Sequence, residues 1–316
     1  MLAFLAALLI LPLAMAGELD LSPQVRDSVR LGRVHARVEQ YRRGELALPL
    51  PDDLAPTVQL ASGLGGQIYR LDTAAVKASA ALARTGAAND ERLQGWLCID
   101  AGEDIHVIFV GFDAADPATP GGLYHAVVSL KSGVVRWGDF NAPTAEAPLR
   151  TEPGAPREQL FPFDDALKRE WTAHQVALRA HPGTAGAPLD PVVVQVDPTP
   201  GAEAYLVFLL ARSPDPGRVQ FGGHVAYKVH FEGQKVGLEP FAVATETLSW
   251  DRAELEAQAG DEQQLHGFYR STADVPVPRE LHVYESLVYE LPFFLLAQDN
   301  LWHVHGVDIR YLGRVD

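Results

Sequence analysis

Cysteine is almost absent. Cys98 stands alone among 316 residues, so no disulfide can form within the chain. Positive charge is also scarce: 26 Lys and Arg face 41 Asp and Glu, for a net charge of −15. Binding to nucleic acid needs a basic patch that displaces counterions from phosphates, so this balance argues against a nucleic-acid partner. It favours solubility outside the cell, or attraction of a cationic partner. Familiar catalytic signatures are missing too. The chain has no G-x-S-x-G, no Walker A sequence, no G-x-G-x-x-G, no H-E-x-x-H and no C-x-x-C. After residue 16 no apolar run is long enough to cross a bilayer as a helix, so no transmembrane span is expected in the mature chain.

What is present begins with an apolar stretch, Leu2 to Ala16, that ends in Ala14-Met15-Ala16 and turns polar at Gly17-Glu18. A short apolar core followed by a small-x-small site is the layout of a secretory signal peptide, here without a preceding Lys or Arg. The expected location is therefore periplasmic or secreted. No cysteine sits at the cleavage site, which argues against a lipid anchor. With 47% hydrophobic and 21% charged residues, the remainder has the composition of a folded protein.

The expected organisation is a signal peptide over 1–16, a first α+β unit over 17–140, a proline-rich linker over 141–159 and a second unit over 160–316. Ser22 and Pro23 open a helix expected over 22–43. Arg26, Arg30, Arg33 and Arg37 share one face of it, available to the protein's own carboxylates, to a partner or to an anionic surface. The linker contains Pro143, Pro148, Pro153 and Pro156 with no apolar periodicity.

Across that linker the sequence repeats itself. Val107 to Val110, Asp116-Pro117, Gly121-Gly122 and the alternating run Tyr124, Ala126, Val128, Leu130 are echoed by Leu206 to Leu209, Asp215-Pro216, Gly222-Gly223 and Val225, Tyr227, Val229, Phe231. Phe109 is matched to Phe208, and Phe140 to Phe241. Helices are expected around 74–84 and 165–180, each leading into strands at 96–100 and 192–197. Period-two alternation means one buried and one wet face on each strand, which suits an antiparallel sheet covered by a helix. The fold class expected is α+β, as two duplicated helix-plus-antiparallel-sheet units. The second is extended by a short helix from Ser249 to 259 and by strands at 280–290, 292–298 and 301–312.

Helix followed by antiparallel sheet resembles the element order of cystatin-like and NTF2-like proteins, folds that host both binders and enzymes. The stretches Gly222-Gly223-His224, Pro278 to Leu287 (PRELHVYESL) and Leu301 to Ile309 (LWHVHGVDI) resemble a group of uncharacterised exported bacterial proteins. That resemblance implies kinship and no activity.

Candidate chemistry is thin. His303 and His305, two apart on an expected strand, project from one face and could join His282 as metal ligands, with His266 and Glu285 as further donors. No organic cofactor is called for, and a metal ion is the only cofactor considered. His224, Lys228 and His230 lie opposite the apolar side of their strand and are expected on the wet face as a contact surface. Cys98, with His106 nearby in sequence, reads as an inert thiol. Ser62-Gly63-Leu64-Gly65-Gly66 reads as a flexible turn, and Asp164-Asp165 as a helix start. The expected function is non-catalytic binding of a protein or small-molecule ligand in the cell envelope. The alternative is a periplasmic enzyme, such as a metal-dependent hydrolase, with its site in the second unit.

Overall fold

The computed structural model describes residues 23–112, 119–138, 149–154, 160–181, 189–213, 215, 217–243, 247–254, 268–270 and 275–315. The apolar leader, most of the proline-rich linker, Phe140, Asp116-Pro117, Pro216 and His266 lie outside the described residues.

Four α-helices of ten or more residues, a helical turn at 252–254 and fifteen strands are described. Helix α1 (Pro23–Arg42) opens on its proline as expected, and α2 (Ala55–Arg84) runs for 30 residues. Strands β1 (Leu93–Asp100), β2 (Asp104–Phe112), β3 (Pro120–Ser129) and β4 (Val135–Trp137) form an antiparallel meander, with β5 (Phe161–Pro162) against β3. Helix α3 (Asp165–Ala180) follows, capped by the Asp164 carboxylate on the Leu167 N–H at 2.9 Å. Strands β6 (Leu189–Asp197), β7 (Ala204–Ala211), β9 (Val225–Glu232) and β10 (Lys235–Val243) form a second meander, while β8 (Arg218–Gly222) pairs with β11 (Thr247–Asp251). The C-terminal sheet contains β12 (Phe268–Arg270), β13 (Phe293–Ala297), β14 (Asn300–His305) and β15 (Asp308–Arg314), with α4 (Glu280–Tyr289) preceding β13.

The protein is α+β, and the central strand pairs of the two meanders share register, although β8, which pairs with β11, interrupts the second meander and has no counterpart in the first. Phe109 pairs with Tyr124, Val107 with Ala126 and Ile105 with Val128. In the second meander Leu209 pairs with Val225, Val207 with Tyr227 and Tyr205 with Val229. Tyr124 and Val225 therefore hold equivalent places. The matching of Phe109 with Phe208 is corrected by one residue: the counterpart of Phe109 is Leu209. Because side chains alternate across a strand, a one-residue shift turns a residue to the other face. Phe208 accordingly points away from α3, into the core beneath α2.

That core explains the packing. Ile68, Leu71, Ala74, Ala78 and Leu82 of α2, spaced at three and four, cover Val107, Phe109 and Ala126 of the first sheet. The same cluster includes Val192, Val194, Leu206 and Phe208 of the second. Helix α3 covers the opposite face of the second sheet through Ala173 and Ala177, against Val207, Leu209 and Val229. Its Trp171 reaches Leu97, Ile108 and Val110 of the first sheet.

Three expectations about elements are corrected. The Ser62-Gly63-Leu64-Gly65-Gly66 run lies inside α2, because α4 crosses there: a Cβ on Gly65 would sit 2.5 Å from Glu280 O and 2.5 Å from Val283 Cβ. Residues 280–290 form α4, a helix, and not a strand. Its residues from Glu280 to Ser286 are all buried, so no polar face marks a helical period in the sequence. Ser249 lies in β11, and the helix expected after it begins instead at Arg252, capped by Asp251, whose Oδ1 accepts the Ala253 N–H at 2.8 Å; residues 255–259 lie outside the described residues.

The C-terminal sheet lies between two layers. Phe293, Leu295, Trp302 and Val304 face Val283, Val219 and Phe221. Phe294, Leu301 and Leu312 face Val34 and Val38 of α1.

Candidate functional site

Two polar loci stand out. The first surrounds α4. Glu280, His282, Glu285 and Ser286 are buried on this helix; His282, Glu285 and Ser286 each make a hydrogen bond, and Glu280 lies 3.6 Å from the Arg279 guanidinium. Gly222 and Gly223 both have positive φ, at 80° and 77°, a conformation that favours glycine. Their turn brings the Gly222 N–H to Glu285 Oε1 at 2.5 Å and turns His224 inward, 2% exposed. The His224 Nδ1 accepts the Ala211 N–H at 3.0 Å, and its Nε2 lies 3.2 Å from Glu285 Oε1. An imidazole whose Nδ1 accepts a backbone N–H carries its proton on Nε2, which here lies near Glu285 Oε1 without forming a hydrogen bond to it.

Next to it, Tyr284 donates to Asp72 Oδ2 at 3.0 Å, and the Arg212 guanidinium bonds the other oxygen of Asp72. Arg212 Nε lies 2.7 Å from Asp190 Oδ2. Burial pushes the Asp72 carboxyl up, and the Arg212 charge offsets part of that rise. Burial, followed by the Asp72 charge, holds the Tyr284 phenol well above its ordinary value, as a neutral donor. On α4, Ser286 Oγ donates to Leu291 O at 2.8 Å and accepts the Gly306 N–H at 2.8 Å. The stretches around Gly222, Tyr284 and Gly306 thus meet at α4. Chemically this locus clamps four elements together through charge-assisted and buried hydrogen bonds, an arrangement costly to break.

The second locus is open. The last turn of α2 closes when Thr85 N–H and Gly86 N–H bond Leu82 O and Ala83 O, and Gly86 at φ 77° swings the chain into a 3-10 turn, Ala87–Asn89. Beyond that turn, Thr85, Gly86, Ala87, Asn89, Asp90, Tyr124, Pro153 and Gly154 line a cleft of about 520 Å³. Asp90 accepts the Arg92 backbone N–H at 3.0 Å and the Arg92 guanidinium at 2.8 Å. Those bonds hold its carboxyl below the usual carboxylate range. The Tyr124 phenol is pushed up, first by burial and then by the Asp90 charge, so it stays a hydrogen-bond donor. Asp90, Asn89, Tyr124 and two glycines border one volume.

No family model, curated protein or solved structure matches the chain.

The expected metal ligands do not assemble. Among the described residues no three His, Cys, Asp or Glu side chains are grouped to hold a metal ion. His303 and His305 do share a face of β14, with ring centroids 6.2 Å apart. That face packs against α1, where Tyr41 Oη lies 3.1 Å from His303 Nδ1. His282 is on α4, and its Nδ1 accepts the Arg279 N–H at 2.9 Å, the back-reaching half of a capping box. Burial lowers both His282 and His303 to about 4, so both are neutral near neutral pH.

The expected contact surface is also corrected. His224 is buried, Lys228 is exposed and His230 is half-buried. His224 precedes β9, and the double-glycine turn breaks the alternation before it reaches that residue. Of the arginine stripe, Arg30 bonds Gln298 O and Asp299 Oδ1, the latter at 2.7 Å, Arg33 is exposed, and the Arg26 side chain lies outside the described residues.

Cys98 faces α2, with Sγ 3.6 Å from Leu71 O, and burial raises its thiol well above the ordinary value. His106 points to the other side of the sheet, where its Nδ1 lies 2.9 Å from His125 Nε2. Sequence reasoning missed this imidazole pair, and it missed Asp72, Asp190, Arg212 and Asp90. Cross-strand and cross-helix partners carry no local signal, and the cleft is built from turns remote in sequence.

Proposed function

We propose that the chain is an exported binding protein that holds a small polar ligand in the cleft at the end of α2. The observation that carries this reading is the cleft itself. It is an open depression of about 520 Å³ bordered by Asn89, Tyr124 and the Arg92-held carboxylate of Asp90, groups that can take hydrogen bonds from a small polar ligand. Around α4, Asp72, Tyr284, Arg212 and Ser286 are engaged with partners, which supports a structural role for them, whereas His224 Nε2, Glu280 Oε1 and Glu285 Oε2 have no hydrogen-bond partner among the described residues. The apolar stretch Leu2 to Ala16 with its small-x-small end supports export.

The test is a thermal-shift screen of the full chain against amino acids, polyols and small amines, followed by calorimetry on any that raise the melting temperature. At least one class is expected to bind, and Tyr124→Phe and Asp90→Asn are each expected to weaken it about tenfold, the worth of one lost hydrogen bond. Failure of all three classes, or equal binding by both variants, would overturn the reading. Cell fractionation tests the export claim, with the chain expected outside the cytoplasm.

A further inference from the structure

We propose that the face formed by α1 and β15 docks on an anionic lipid surface. Residues 23–43 carry six arginines against Asp27 and Glu39, four positive charges net, in a chain of net charge −15. The rest of the molecule therefore bears −19, and this segment is a cationic island on an acidic protein.

The fold concentrates that charge on one face. A Cβ on Gly313 of β15 would lie 3.0 Å from the Arg37 guanidinium and 3.0 Å from Leu48 Cδ1, so these two side chains flank the strand. Arg310 lies 3.4 Å from Tyr41 Oη, across the same α1–β15 seam. Asp299 binds Arg30 at 2.7 Å and lies 3.9 Å from Arg314, while Asp308 binds Arg310 at 2.7 Å. Five guanidinium groups on this face thus meet two carboxylates. Arg33 and Arg37 pair with no carboxylate among the described residues.

Charge alone would suit any polyanion. Two further features favour lipid. Leu48, 39% exposed, lies beside Arg37 at Gly313, an apolar and cationic mixture that suits the headgroup boundary. The apolar stretch Leu2 to Ala16 also lies a few residues before α1, so any membrane residence of that stretch brings α1 to the surface. Basic residues near an anionic leaflet contribute about 1 kcal/mol each, and the effect is screened by salt.

The test is cosedimentation of the full chain with vesicles of phosphatidylcholine alone or with about one third phosphatidylglycerol. Binding is expected on the anionic vesicles, at least fivefold stronger than on neutral ones, and is expected to fall at 0.5 M salt. Arg33→Glu and Arg33→Glu/Arg37→Glu should weaken it at least fivefold, whereas Arg33→Lys/Arg37→Lys should retain it. Arg33 is exposed, so the single variant keeps α1 seated, and its melting temperature checks this. Equal binding to both vesicles would assign the interaction to the apolar stretch and overturn the proposal. So would no binding to either, or charge reversals that bind like the parent.

Discussion

His174 shows what a single buried imidazole does to stability. It is 1% exposed and stacks on Trp171 with ring centroids 4.5 Å apart. Burial lowers it from 6.5 to about 4. The unfolded chain therefore takes up a proton between those values that the native protein refuses. The stability this residue contributes is complete above about 6.5 and is lost as pH falls through about 4. His174→Gln removes the titration and keeps a planar polar side chain. Relative to that variant, the parent should lose about 3 kcal/mol of unfolding free energy between pH 6.5 and 4. Urea unfolding at several pH values measures the difference, and parallel profiles would exclude the effect. The comparison is differential because burial raises Asp72, Asp190 and Glu280 in the opposite sense, and lifts Glu170 to about 8. None of this was legible in the sequence, where His174 is one polar residue in an amphipathic helix. Its burial arises only because α3 is covered on more than one side.

At the scale of elements, legibility followed periodicity. Helices α1 and α3 carry clear starts, Pro23 and Asp164, and lie where the sequence places them. The meander strands alternate cleanly, and their order was readable for the same reason. Helix α2 was foreseen only over its last third, because three glycines in five residues argue against a helix on propensity alone. The contact with α4 overrides that propensity at one glycine and leaves another untouched. A Cβ on Gly65 would strike Glu280 O and Val283 Cβ at 2.5 Å, whereas a Cβ on Gly63 would meet nothing within 4 Å. Gly63→Ala should therefore stabilise the protein by about 0.5–1 kcal/mol. Gly65→Ala should cost about 1–3 kcal/mol through overpacking. Thermal melts of the two variants should move in opposite directions, and a shared direction would mean that α4 does not sit against Gly65.

At the scale of the molecule, the two meanders raise the question of how many cooperative units the chain contains. The sequence suggests two, parted by prolines. The packing points elsewhere, because Phe109 of the first sheet and Phe208 of the second are both buried in the cluster under α2. The Arg212 and Asp72 pair ties β7's end to the same helix. Hydrophobic surface shared in this way cannot be exposed on one side without exposing its neighbour, so the meanders should unfold together. Calorimetry of the parent should show one transition spanning both. Phe109→Ala and Phe208→Ala, each expected to cost about 3–5 kcal/mol, should lower that same transition by several degrees. Independent units would instead give two transitions, with each substitution shifting only one. The cleft sits on this shared body: α2 supplies Thr85 from the helix that covers both sheets, and β3 supplies Tyr124. Loosening the second sheet with Phe208→Ala should therefore also weaken whatever ligand the cleft holds, although Phe208 is not among the residues that line it.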